Sequence, residues 1–229
     1  MNIAQYTNMV DAIILTDSRD PEMTQRTIDS VKMGGDVSVI LVCKREDYRI
    51  YKGVGTYVVI KEAFNYNRFI NHALEYVSND WVLISNDDVN YHPGWFDEMM
   101  KVHEQHPKIE SFSPRDTVLH KIWFPHLFPN KETFHEGYQV TELFQGWSVL
   151  LKRNALDKIA PLDEQFDMYY QDNDLAECLK KKKIRHALVR EARADHKNTH
   201  TIGMPYSEEK IKKSAEDEQK FRNKWNIWT

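Results

Sequence analysis

Short apolar runs alternate with amphipathic helical stretches through the first half of this chain, and that alternation constrains its fold more than any other feature. Val10, Ala12, Ile13, Ile14 and Leu15 form the first run, closed by Thr16-Asp17-Ser18. Asp20-Pro21 reads as a helix cap followed by proline at the first helical position, where no backbone N–H is needed. This helix is expected to reach about Met33, with Gly34-Gly35 ending it. Residues 37–42 and 57–60 supply two further apolar runs. Asn65 then caps a helix in which Tyr66, Phe69, Ile70, Ala73, Leu74 and Val77 recur at helical spacing. Trp81-Val82-Leu83-Ile84 is apolar on both faces, as a central parallel strand requires, and stops at Ser85-Asn86-Asp87-Asp88. Pro93-Gly94 opens another helix through Met99 and Met100. The β-α-β order predicts an α/β fold: a mostly parallel sheet with helices on both faces and a crevice at the strand ends. Asp17, Lys44 and the group Asn86, Asp87 and Asp88 stand at such ends.

The second half is patterned differently. Residues 111–147 hold Phe112, Trp123, Phe124, Phe128, Phe134, Tyr138, Phe144 and Trp147 with little periodicity, which predicts an irregular aromatic segment over one sheet face. Val149-Leu150-Leu151 resumes a strand, residues 172–182 read as a helix, and Ala187-Leu188-Val189 as a short strand. Residues 207–225 form a charged helix expected to dock through Ile211, Ala215, Phe221 and Trp225.

At 229 residues the chain suits one large domain. A net charge of −4 argues against a general nucleic-acid binder. Cys43 and Cys178 match no metal spacing and exclude a disulfide framework, so they read as cytosolic thiols. No apolar run approaches transmembrane length, and the first residues lack a basic start and long apolar stretch; the expectation is a cytoplasmic protein.

Four groups of residues can carry chemistry. Asp87 and Asp88 repel each other unless a cation or donors relieve them, and Mg²⁺ or Mn²⁺ takes such oxygen ligands together with substrate phosphates. A plain turn is the alternative. Asp172 and Asp174, after Tyr169-Tyr170-Gln171, cap a helix or place a carboxylate to take a proton from a hydroxyl. Asp195-His196, with His200 nearby, can complete a metal site through a neutral imidazole. Residues 180–183 with Arg185 form a solvated helix end or a polyanion contact. The aromatic segment divides between core packing and stacking on sugar rings.

The order of motifs resembles the family 2 glycosyltransferases of GT-A fold. The resemblance lies in Phe64-Asn65-Tyr66-Asn67-Arg68 opening a helix, WVLISNDDV, PGWFDEMM, Gly146-Trp147-Ser148-Val149, Pro161-Leu162-Asp163-Glu164-Gln165-Phe166 and Gln171-Asp172-Asn173-Asp174-Leu175. It spans roughly residues 10–200. It implies one GT-A domain: a nucleotide-sugar-binding half over about 10–110, an acceptor and catalytic half over about 111–205, and a C-terminal helix over 206–229. It implies an inverting transfer of sugar from a nucleotide diphosphate, UDP by default, to a hydroxyl. Asp88 and His196, with Asp87 assisting, would hold Mn²⁺ or Mg²⁺. Asp172 would be the base, its pKa lowered by the helix start. Thr16, Asp17, Arg19, Lys44, Asn65, Arg68, Asn71, Asn86 and Asp87 would contact the donor; Trp123, Trp147, Tyr170 and Asp174 would contact the acceptor. Asn86 stands where many members carry an aspartate, which implies a ribose contact, and Gln171 replaces a usual glutamate. The acceptor is a glycan, small molecule, protein or modified nucleic acid. Two other readings are a nucleotidyltransferase, which normally has a glycine-rich phosphate loop that residues 16–21 lack, and a non-catalytic sugar- or nucleic-acid-binding module.

Overall fold

The computed structural model describes residues 10–17, 19–44, 50–129, 132–166, 169–197 and 207–227. Ser18 and His200, named above, and the stretch before Val10 lie outside the described residues. In chain order the elements are β1 (Val10–Thr16), α1 (Pro21–Val31), β2 (Val37–Cys43), β3 (Thr56–Val59), α2 (Tyr66–Leu74), β4 (Trp81–Asn86), β5 (Val89–Tyr91) and α3 (Trp95–Gln105). There follow β6 (Ile109–Arg115), α4 (Leu119–Trp123), β7 (Phe134–Glu136), β8 (Ser148–Lys152), α5 (Arg153–Leu156), α6 (Gln171–Lys181), β9 (Arg185–His196) and α7 (Glu208–Trp225).

The strands pair in the order β3-β2-β1-β4-β8-β6-β9-β5, with β7 on β9. β1, β2, β3 and β4 are mutually parallel; β8 runs antiparallel between β4 and β6; β6 and β9 are parallel. Alternate residues of β1 serve opposite faces, as strand geometry dictates. Val10, Ala12 and Ile14 join α1 and α3 in one apolar layer; Ile13 and Leu15 join α2, α5 and α6 in the other. Asp11 is buried in this strand, yet its carboxylate accepts from Ser78 N, Asn79 N and Asn79 Nδ2 at 2.7–2.8 Å. A buried acid is tolerated when its oxygens are filled in this way. Gly34 lies against Trp95: a Cβ there would stand 2.4 Å from the indole Nε1, which donates to Val31 O.

Three elements differ from the sequence expectation. Residues 111–115 of the expected irregular segment belong to a central strand, β6. Its Ser111 and Ser113 are buried but bonded, to His186 Nδ1 at 2.7 Å and to Gln145 N and Ser148 O. β9 is 12 residues long because, beyond its pairing with β6, it continues into an antiparallel ribbon with β5. On α7, Ile211 and Ala215 are exposed, and docking falls to Phe221, Trp225 and the buried Asp217.

α7 grips the entry to α6. Lys224 Nζ reaches Asp163 and Asp174, Trp225 Nε1 donates to Asp174 Oδ1 at 2.8 Å, and Asp217 accepts from Tyr169 N. Burial pushes the Asp174 carboxyl up even with these donors. Among the described residues no helix is long and apolar enough to cross a membrane. Asp174→Ala strands a buried indole N–H and an ammonium, so urea denaturation should show a loss of about 3 kcal/mol; an unchanged midpoint would mean that α7 is not held this way.

Candidate functional site

The sheet brings Asp88 and His196 together. Val89 pairs with His196 across the β5–β9 ribbon, and Lys197 N donates to Asp88 O at 2.8 Å. His196 Nε2 consequently lies 3.0 Å from Asp88 Oδ1. This oxygen is buried, and among the described residues it receives no aligned hydrogen bond. Leaving a buried carboxylate oxygen undonated is costly. An imidazole nitrogen and a carboxylate oxygen sharing one small volume supply donor chemistry that suits a divalent cation. Two further contacts hold the ring. Trp147 stacks on it with centroids 5.1 Å apart and planes 7° apart, and Asp116 Oδ2 accepts from His196 N at 3.0 Å. Asp195, next to His196 on an alternating strand, is bonded instead to Thr117 and to His92.

Asp87 turns the other way, to α1. Its Oδ2 accepts from Thr24 Oγ1 at 3.1 Å, its carbonyl from Thr27 Oγ1 at 2.7 Å, and Thr16 Oγ1 lies 3.1 Å from Thr24 Oγ1. Burial pushes the Asp87 carboxyl up to about 6 despite bonds from Thr16 and Thr24, and the Asp88 charge adds to the rise. Asp87 is thus tied to α1 through Oδ2 and its carbonyl. Among the described residues no three His, Cys, Asp or Glu side chains form a metal-binding group. Asp88 and His196 are an open pair, leaving most coordination positions of a cation to phosphate and water.

Asp172, at the second position of α6, stands against Gly146. A Cβ on Gly146 would lie 2.4 Å from Asp172 Cβ and 2.9 Å from Oδ2, so only glycine fits beside this carboxylate. Asp172 Oδ1 accepts from Asn173 N at 2.9 Å. Burial nevertheless raises its pKa, which corrects the expected lowering: removal from water outweighs the helix dipole here. Neighbouring Gln171 Oε1 is a second buried acceptor without a donor among the described residues. Tyr66 links the two halves of the cluster. Its hydroxyl meets Asn86 Oδ1 at 3.3 Å and Gly146 O at 3.4 Å, and burial, with the charges of Asp172 and Asp88, raises its pKa. Sequence periodicity marked Tyr66 only as a core residue, and Thr24, Thr27 and Asp116 went unmarked.

Other expected donor contacts are committed elsewhere. Asn65 caps α2 and donates to Glu164 O; Arg68 pairs with Glu164 and Glu62; Asn71 bonds Leu162 and Glu164. These three side chains fasten α2 to residues 162–166. Asp17 pairs with Arg19 at 2.6 Å on the surface, and Lys44 is exposed at the end of β2. Of the expected acceptor contacts, Trp147 is at the site, Trp123 is exposed on α4, and Tyr170 packs on Phe221. Asp174 is not free for an acceptor, since Lys224 and Trp225 occupy its oxygens. The lysine run is a helix end: Lys180 pairs with Glu177, Lys181 lies over the Trp225 ring, and Arg185 grips Glu136. Two surface hollows, one at Tyr57, His72 and Tyr76 and one at Pro21, Ile50 and Lys52, share no residue with the acidic cluster.

Known proteins carry the same arrangement of elements. The family description "Glycosyl transferase family 2" matches residues 3–160. An N-acetylglucosaminyl-diphospho-decaprenol L-rhamnosyltransferase of Mycobacterium tuberculosis is 25% identical over 151 residues, 55% of this chain and 49% of the relative. The chain therefore spans about half the length of the curated relatives it matches. The solved structure of glucosyl-3-phosphoglycerate synthase from Mycobacterium tuberculosis, in complex with Mn²⁺, UDP and glucosyl-3-phosphoglycerate, is similar at TM-score 0.65 and 12% identity, over 97% of this chain and 82% of that one. The mannosyltransferase PcManGT from Pyrobaculum calidifontis, in complex with GDP-Man and Mn²⁺, is similar at TM-score 0.61 and 14% identity, over 85% and 58%. With the family description covering more than half of its residues, the chain belongs to glycosyl transferase family 2 and has the GT-A fold.

Proposed function

We propose that the protein is a metal-dependent, inverting glycosyltransferase that moves a sugar from a nucleotide diphosphate to a hydroxyl acceptor. The observation that carries this reading is the undonated Asp88 Oδ1 held 3.0 Å from His196 Nε2, with a half-buried Asp172 on the other side of Tyr66, which both carboxylates influence. Asp88 and His196 fit Mn²⁺ or Mg²⁺, and such an ion, when bound, neutralises charge growing on a leaving diphosphate. Similar folds bind GDP-Man or UDP with Mn²⁺, which supports a nucleotide donor; UDP is the default here. Residues 10–110 form the donor half, residues 111–205 the acceptor half, and the working compartment is the cytoplasm.

Asp172 takes the proton of the acceptor hydroxyl. The acceptor oxygen bonds to the anomeric carbon from the face opposite the leaving group, and the bond from that carbon to the diphosphate oxygen breaks. One base and one displacement invert the anomeric centre. A carboxylate raised by burial is a stronger base than an exposed one, and such assistance is typically worth about 10²–10⁴-fold in rate. Trp147, fixed against His196, offers an aromatic face at the acceptor entrance, with Trp123 and Tyr170 farther out. Asn86, held by Tyr66, faces the donor side. The non-catalytic alternative requires that no nucleoside diphosphate be released from any nucleotide sugar.

Three variants and the pH profile of the wild type check the reading. Asp88→Asn should weaken nucleotide binding in the presence of Mn²⁺ at least tenfold by calorimetry; equal affinity removes the metal role. Asp172→Asn should lower transfer by about 10²–10⁴-fold while leaving donor affinity intact. It should also raise the melting temperature at neutral pH. The raised folded pKa means that the protonated form stabilises the fold at low pH, and that this contribution is lost as pH rises through the folded value. The amide removes that ionisation penalty; a lower melting temperature contradicts the account. For the same reason, wild-type turnover should fall on acidification at a higher pH than an ordinary aspartate, near 4, would give. Gly146→Ala should displace Asp172 and reduce kcat with little change in donor affinity; full activity would show the close contact to be irrelevant.

A further inference from the structure

Beyond the acidic cluster, the paired ends of β6 and β9 hold an arrangement of positive charge that the transfer reaction does not explain. Arg115, the last residue of β6, pairs in register with Arg193 of β9. The guanidinium of Arg115 lies over the Phe128 ring at 5.9 Å, and Arg190 covers the same ring at 5.8 Å. Arg115 Nε is buried and has no hydrogen-bond acceptor, and among the described residues neither the Arg115 nor the Arg193 side chain makes a hydrogen bond or ion pair. The nearby acids Glu191 and Asp195 make no hydrogen bond to Arg115 Nε. Glu191 lies 3.5 Å from Arg190, and the Asp195 oxygens are taken by Thr117 and His92. Burial lowers the Arg115 pKa; the charges of Glu191 and Asp195 oppose this and those of Arg190 and Arg193 add to it.

We propose that Arg115 and Arg193 form an anion subsite for a phosphate group. Guanidinium forks match phosphate oxygens in geometry and charge, and a half-buried fork without an acceptor is a ready donor set. Arg193 is exposed on the face of β9 that also carries Asp195, opposite the buried Ala192 and Ala194, and Arg115 lies beside it at the end of β6. The anion site does not rest on the transferase reading above.

The test uses the full chain, labelled with ¹⁵N and free of metal, titrated with inorganic phosphate while the arginine Nε–H resonances are followed. The Arg115 resonance should shift saturably. Arg115→Gln with Arg193→Gln should bind phosphate more than tenfold more weakly, and Arg193→Gln alone, an exposed change outside the core, should also weaken it. No saturable shift, or equal binding by the single and double variants and the wild type, overturns the subsite. Glycerol 3-phosphate and vesicles of phosphatidic acid in phosphatidylcholine then separate the sources: binding of either that the double variant loses supports the site, and binding of neither overturns it. Nucleotide-sugar hydrolysis with Mn²⁺ should proceed at the same rate in wild type and double variant. If neither protein hydrolyses any donor, the transferase reading fails while the phosphate titration still decides the subsite.

Discussion

The site depends on one pairing, the short ribbon between β5 and the far end of β9. It places a carboxylate from the turn after β4 beside an imidazole from late in the chain. Without it, Asp88 would be one of two repelling acids at a strand end, and His196 a histidine on a polar extension. With it, an undonated oxygen and a ring nitrogen share one buried volume. The surroundings serve that geometry. Trp147 fixes the imidazole plane, Asp116 fixes its backbone, and the threonines of α1 draw Asp87 away.

Adjacent residues diverge repeatedly in this molecule because chain geometry alternates. Asp87 faces α1 while Asp88 faces His196. Asp195 anchors a loop while His196 enters the crevice. In α6, Asp172 lines the site while Asp174, two positions on, is the socket for Lys224 and Trp225. Each pair is alike in sequence and opposite in use. The chemical load therefore falls on few groups, and the rest hold them still.

This explains what could be read from sequence. β1, β2 and β4 were legible because a strand buried on both faces must be apolar throughout. β6 was not, because Ser111 and Ser113 are buried polar residues satisfied by His186, Gln145 and Ser148, partners distant in sequence. His186 itself is a neutral core histidine, pushed down to about 3 by burial. The acidic cluster, Asp172 and His196 stood out as residue types at strand or helix ends. Asn65, Arg68 and Asn71 looked like donor contacts, yet they share a helix face that meets residues 162–166. The Asp172 pKa ran opposite to the helix-dipole expectation because burial is a tertiary property. The register of Arg115 with Arg193 depends on a bulge that no periodicity shows.

The central claim is that Asp88 and His196 grip one dication that also grips a diphosphate. Electron spin-echo modulation of Mn²⁺ bound with nucleoside diphosphate tests it directly. The account predicts nitrogen coupling from a single imidazole alongside phosphorus coupling, with the nitrogen signal gone in His196→Ala. Phosphorus coupling without nitrogen in the wild-type protein would contradict it.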